Sequence, residues 1–122
     1  MVITALIIPA DESQAPVLAP IEPSLARAQR LVGGYLEGLP SDTEAGWVAY
    51  GNEESKIYGL PANLRAHAVL VELGGHNPAD VLQGLVFLVG FGDDGEWIDV
   101  PDFLPGKVQE VLGVEVQAGL AP

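Results

Sequence analysis

The order of apolar and polar positions divides the chain into short strands and two helices. Val2 to Ile8 is rich in β-branched residues and stops at Pro9, so it reads as a buried strand. Pro16 to Pro20 reads as a second strand. Its prolines confine it to an edge, because proline has no amide proton for a ladder. Leu25, Ala28, Leu31 and Val32 then recur at helical spacing behind Ser24 as N-cap, and Gly33-Gly34 stops that helix. Tyr35 to Leu39 and Gly46 to Tyr50 read as a β-hairpin across a polar connection. Lys56 to Tyr58 reads as a short returning strand. From Ala62 the period changes again: Leu64, Ala68, Val71 and Leu73 predict a helix over 62–73, capped by Asn63 or by Leu60 and ended by Gly74-Gly75.

Gln83 to Gly90 is the clearest strand. Its unbroken apolar run places it centrally, covered on both faces. Asp94-Gly95 predicts a tight hairpin turn into a partner strand, Glu96 to Val100. Pro101 to Gly106 suits one helical turn, with Val108 to Leu112 as its extension. Strands and helices are mixed without strict βα alternation. The expected fold is a single α+β domain, with an antiparallel or mixed β-sheet and about two helices packed on one face. Residues 1–105 form that domain, and 106–122 add a C-terminal helical turn and a loose tail.

Composition narrows the function classes. The 122 residues suffice for one compact core and not for two ordinary domains. The formal net charge of -12 repels nucleic-acid phosphates and anionic membranes, and it suits a basic partner. The chain has no cysteine, which excludes disulfides and thiolate metal sites. The N-terminal apolar run has no basic residues before it and acids soon after, unlike a signal peptide. No apolar run reaches the roughly 18 residues that a membrane span needs. A cytoplasmic location is expected.

Several patterns resemble sites by their letters alone. Gly90-Phe-Gly92-Asp-Asp-Gly95 matches a dinucleotide loop, but a strand follows it and two aspartates would repel a pyrophosphate. It reads as a hairpin turn. Asp93, Asp94, Glu96, Asp99 and Asp102 cluster without EF-hand spacing and read as a solvated edge. Neither His67 nor His76 sits beside a recognisable nucleophile. No cofactor, metal ligand or catalytic constellation is expected.

The stretch Gly51 to Asn63 mixes more chemistry than any other. Asn52, Glu53, Glu54, Lys56, Asn63 and Arg65 are the candidate partner- or ligand-binding residues. Turn and cap geometry is the competing explanation for them, and chemistry alone favours it.

Four pieces of the chain carry a family likeness: Leu31-Val-Gly-Gly-Tyr-Leu-Glu, Asn52-Glu-Glu-Ser-Lys, Gly59-Leu-Pro-Ala-Asn63, and Asp80-Val-Leu-Gln-Gly84 leading to Phe87-Leu-Val-Gly90. In that order they resemble the family "domain of unknown function 3846" of phages, plasmids and bacteria, over roughly residues 2–105. Members usually carry Gly where this chain has Ser55. The segment between Asn63 and Asp80 is longer here than in shorter members, which agrees with a helix there. The resemblance implies a mobile-element origin and a small accessory protein of the host cytoplasm, and it supplies no activity. The expected function is non-covalent binding to a protein partner, basic or nucleic-acid-binding, with DNA mimicry or host takeover as special forms. The alternatives are a small-molecule or peptide-binding module built on the Asn52–Asn63 stretch and, more weakly, a carboxylate-based metal-dependent enzyme.

Overall fold

The computed structural model describes all of residues 1–122. The strands are β1 (Ile3–Ile8), β2 (Val17–Ile21), β3 (Leu36–Asp42), β4 (Trp47–Asn52), β5 (Val86–Phe91), β6 (Trp97–Ile98) and β7 (Gln117–Ala118). The helices are α1 (Leu25–Val32), α2 (Leu64–Gly74) and α3 (Leu104–Leu112). The sheet runs β3-β4-β5-β1-β2-β7, with β6 paired to the end of β5. Every pairing is antiparallel except β2 with β7, so the sheet is mixed.

The apolar alternation explains the layers. On the central strands Leu6, Ile8, Trp47, Ala49, Val86 and Leu88 face one side, where Val69 and Leu70 of α2 and Leu104 and Val108 of α3 cover them. The intervening Ile7, Val48, Phe87 and Val89 face the other side, beneath Ala28, Leu31 and Val32 of α1. A strand covered on both faces carries an unbroken apolar run, as β5 does. Two helices do share a face, but they are α2 and α3, while α1 takes the opposite one. On that α1 face Tyr50 stacks on Phe87 and Trp97 meets both rings at steeper angles, with centroids 5.0–5.9 Å apart. The Trp97 indole N–H donates to the Tyr50 hydroxyl at 3.1 Å, so its polar tip is satisfied.

The helix caps follow the sequence. Ser24 Oγ accepts from the Arg27 amide, Asn63 Oδ1 accepts from the Ala66 amide, and Gly33 and Gly75 take left-handed conformations past the last turns. Asn63, not Leu60, is therefore the cap of α2.

Four expectations are corrected. β2 is not an edge, since β7 lies outside it. Pro20 is tolerated there because β7 reaches only Val17 and Leu18, and because Thr4, opposite Pro20, turns its own amide and carbonyl toward Asp99 and Val100. Residues 56–58 form no strand: the Tyr58, Gly59 and Leu60 amides bond back to Glu54, Lys56 and Ser55, so the segment curls through successive turns instead of extending. The strand expected over 96–100 shortens to Trp97–Ile98, because the Val100 amide bonds Thr4 instead. The stretch expected to be a loose tail docks: the Gln117 and Gly119 amides donate to Pro16 and Leu18 carbonyls at 2.9 and 3.0 Å.

Candidate binding cleft

At the end of the sheet where β4 finishes and β5 begins, two loops rise and leave a cleft of about 360 Å³ between them. The first loop starts at Asn52, which is 3% exposed. Its Oδ1 accepts from the Glu54 amide at 2.7 Å and its Nδ2 donates to the Val32 carbonyl at 3.1 Å. One side chain thus closes a turn and ties the end of α1 to the end of β4. A Cβ on Gly34 would meet that Nδ2 at 2.9 Å, so the glycine leaves room for the tie. Successive turns over 53–59 then place Glu53, Lys56 and Ile57 at the cleft wall. Ser55 needs no left-handed backbone, because no residue other than glycine has a positive φ.

The second loop, His76 to Gln83, is held by its own polar groups. His76 Nε2 lies 2.6 Å from the Asp80 carbonyl oxygen. A carbonyl can only accept, so the ring nitrogen donates. The Asn77 side chain accepts from the Ala79 amide, and the Asp80 amide donates to the Asn77 carbonyl. Gln83 Nε2 reaches across to the Leu60 carbonyl at 2.8 Å, and the Asn63 amide donates to the Leu82 carbonyl at 2.8 Å. Leu82 and Val86 floor the cleft, and Glu37, Leu39 and Pro40 of β3 close its outer side.

Lys56 Nζ bridges the two walls by a salt bridge to Asp80 Oδ1. The hydrogen bond from Lys56 holds the Asp80 carboxyl below its ordinary value, with the fields of Lys56, His76 and His67 acting the same way against desolvation. A depressed folded value means the bridge adds stability above the unfolded carboxylate value, about pH 4, and loses it as the pH falls through the folded value. We expect the Asp80 carboxyl, followed by carbon-detected NMR, to titrate below the ordinary aspartate midpoint and to return toward it in Lys56→Met. An ordinary midpoint in the unaltered protein would refute the bridge.

Of the six residues singled out by sequence, Asn52, Glu53 and Lys56 line the cleft. The other three lie outside it. Asn63 is 1% exposed; its Nδ2 donates to the Ile8 and Gly84 carbonyls at 2.8 and 2.9 Å while its Oδ1 caps α2. Arg65 turns away and donates to the Pro9, Asp11 and Gln14 carbonyls, which fixes the β1–β2 loop. The Glu54 amide and carbonyl serve the turn. Sequence reasoning missed Glu37, His76, Asp80 and Gln83 as cleft residues. A signal was present, since the four pieces that carry the family likeness meet here. Asn52 bonds Val32, the Glu53 amide donates to Tyr35, Lys56 pairs with Asp80, and the Asn63 amide donates to Leu82. Behind the second loop His67 packs edge-on against His76, with ring centroids 5.4 Å apart.

At the far end of the sheet the acidic cluster stays dispersed. No three His, Asp or Glu side chains gather as a coordination set, and Asp99 Oδ1 accepts from the Thr4 amide at 2.7 Å. The hairpin turn expected at Gly90 to Gly95 is there but starts at Gly92, after β5 ends at Phe91, with Gly95 left-handed. No helix is long and apolar enough to cross a membrane.

Fold and cleft together define a single-domain α+β protein, its mixed sheet covered on both faces and open at one end into an acid-lined cleft. The chain belongs to the family described as domain of unknown function DUF3846, whose sequence profile matches residues 3–113. No curated protein and no solved structure matches it.

Proposed function

We propose that the protein acts by non-covalent binding, with the cleft taking a basic segment of a partner protein, as an accessory factor of a phage or other mobile element in the host cytoplasm. The charge of the cleft carries this reading. Glu37, Glu53 and Asp80 line it against a single cation, Lys56, and that cation is already paired with Asp80. The net charge of -12 would steer a basic partner toward it. Leu39, Pro40, Ile57 and Val81 add apolar surface for the stems of lysine or arginine. The mobile-element context rests on the family likeness.

DNA mimicry is a second reading, favoured by the opposite end of the sheet. There the β3–β4 and β5–β6 turns lie side by side, joined by the Phe91 amide and the Gly46 carbonyl at 2.9 Å. They place Asp42, Glu44, Asp93, Asp94 and Glu96 at one end of the sheet, spread over two neighbouring turns that hold no lysine or arginine.

One titration separates the readings. A lysine-rich peptide added to isotope-labelled protein is expected to shift the amides of Glu37, Glu53, Ile57 and Asn77. Glu37→Gln with Glu53→Gln should weaken binding about tenfold, the worth of two partly exposed charge contacts. Shifts confined to residues 42–46 and 92–96 would transfer the site to the mimic end. No shifts at all would leave both without support.

A further inference from the structure

We propose that the partner segment is received as an added strand on the open edge of β3, so that main-chain pairing and the cleft charges act on the same peptide. This rests on the reading of the cleft as a site for a basic segment.

β3 pairs only with β4 and ends the sheet. The phase of its free edge is fixed by one bond: the Glu53 amide donates to the Tyr35 carbonyl at 2.8 Å. In an antiparallel pair the inward and outward groups alternate. Tyr35 and Glu37 therefore face β4, and Leu36 and Gly38 turn their N–H and C=O groups outward. No bond outside the β3–β4 ladder uses those groups. Unpaired strand groups of this kind are a template for another chain.

The template is short and bounded. Pro40 has no amide proton to offer, and its carbonyl lies against the end of α2, where a Cβ on Gly74 would come within 2.7 Å of it. The register also breaks between Leu39 and Asp42. The receiving edge is thus Tyr35 to Leu39, of which Glu37, Gly38 and Leu39 line the cleft. Gly38 lies in its middle. Its φ is not positive and a Cβ there would meet nothing, so neither turn geometry nor packing within this chain calls for glycine. A bare position in an edge strand suits the close approach of another backbone.

Charge selects the occupant. Leu39 packs toward the α2–α3 core and Leu36 toward the α1 core. Glu37, in step with Leu39, therefore stands on the cleft side. A second copy pairing edge to edge would bring two Glu37 carboxylates close together, which is unfavourable on a sheet. A segment alternating basic and apolar residues instead sets its cations beside Glu37 on the cleft side, with lysine stems long enough to point over β3 toward the cleft.

The test uses capped peptides of alternating lysine and valine, N-methylated at one set of alternate residues or at the other. Methylation of the set that faces β3 is expected to weaken binding about tenfold, the net worth of two hydrogen bonds, while the other set changes it less than about twofold. Bound peptide should also slow hydrogen exchange at Leu36 and Gly38. Gly38→Pro should reproduce part of the loss and Gly38→Ala a smaller part, because its methyl meets only the incoming strand. If both methylated series bind like the parent while Glu37→Gln still weakens it, strand addition is overturned and the cleft reading survives. If the parent peptide does not bind, both fall. Sedimentation showing a dimer whose Leu36 and Gly38 amides are protected without peptide would give the edge to self-association and overturn the proposal.

Discussion

Asn63→Ala is expected to lower the unfolding free energy by about 3 kcal/mol, the sum for one helix cap and two buried carbonyls left without a donor. The side chain joins three parts of the fold that are distant in sequence: the end of β1 at Ile8, the approach to β5 at Gly84, and the first turn of α2 at Ala66. None of these groups has water at hand, because Asn63 is 1% exposed. Asn63→Ser should recover about 1 kcal/mol, since a serine oxygen caps the helix but cannot reach both carbonyls. Urea unfolding reads the difference directly. A loss below about 1 kcal/mol in Asn63→Ala would mean that the three bonds do not act together.

Gly90→Ala should cost about 3 kcal/mol, at the upper end for overpacking, because the added methyl meets backbone and not a movable side chain. Gly90 is paired on both sides, with Trp47 of β4 and Ile98 of β6. A Cβ there would overlap the Asp99 carbonyl and press on Ile98 Cγ1 at 2.8 Å. To relieve the overlap β6 must lift from β5, and the bonds that tie Asp99 and Val100 to Thr4 go with it. Hydrogen exchange at Val100 should therefore quicken more than at Leu88. Gly92→Ala is the contrast. Its added methyl meets only the Glu96 side chain, which is exposed and can swing aside. Equal stability of Gly90→Ala and the unaltered protein would refute the tight approach of the two strands.

The local features of the fold were legible because they have local causes. Ser24, Gly33 and Gly75 mark helix ends by their own chemistry, Asn63 stood beside Leu60 as a candidate cap, and the apolar run of β5 announces a strand buried on both sides. The assignment of helices to faces was not legible. It depends on the crossing of α1 from β2 to β3, which no residue pattern states. The cleft was half legible for a related reason. Asn52, Glu53 and Lys56 follow one another in the chain, but Asp80 and His76 reach them only through the pairing of β5 with β4. Asn63 and Arg65 drew notice as polar residues near a turn, and the structure uses both to satisfy backbone groups within the fold. Polarity identifies that a side chain needs partners, and it does not say whether those partners are internal.

The central position of β5 also sets an order of assembly. β1 with β2, and β3 with β4, are hairpins that can close over short loops. β5 is the strand that joins them, with Ile8 opposite Val86 on one side and Tyr50 opposite Phe87 on the other. Pairings so distant in sequence form late, after the entropy of a long loop has been overcome. A nascent chain that has not yet released Phe91 from the ribosome holds two ribbons with apolar faces and no common sheet between them.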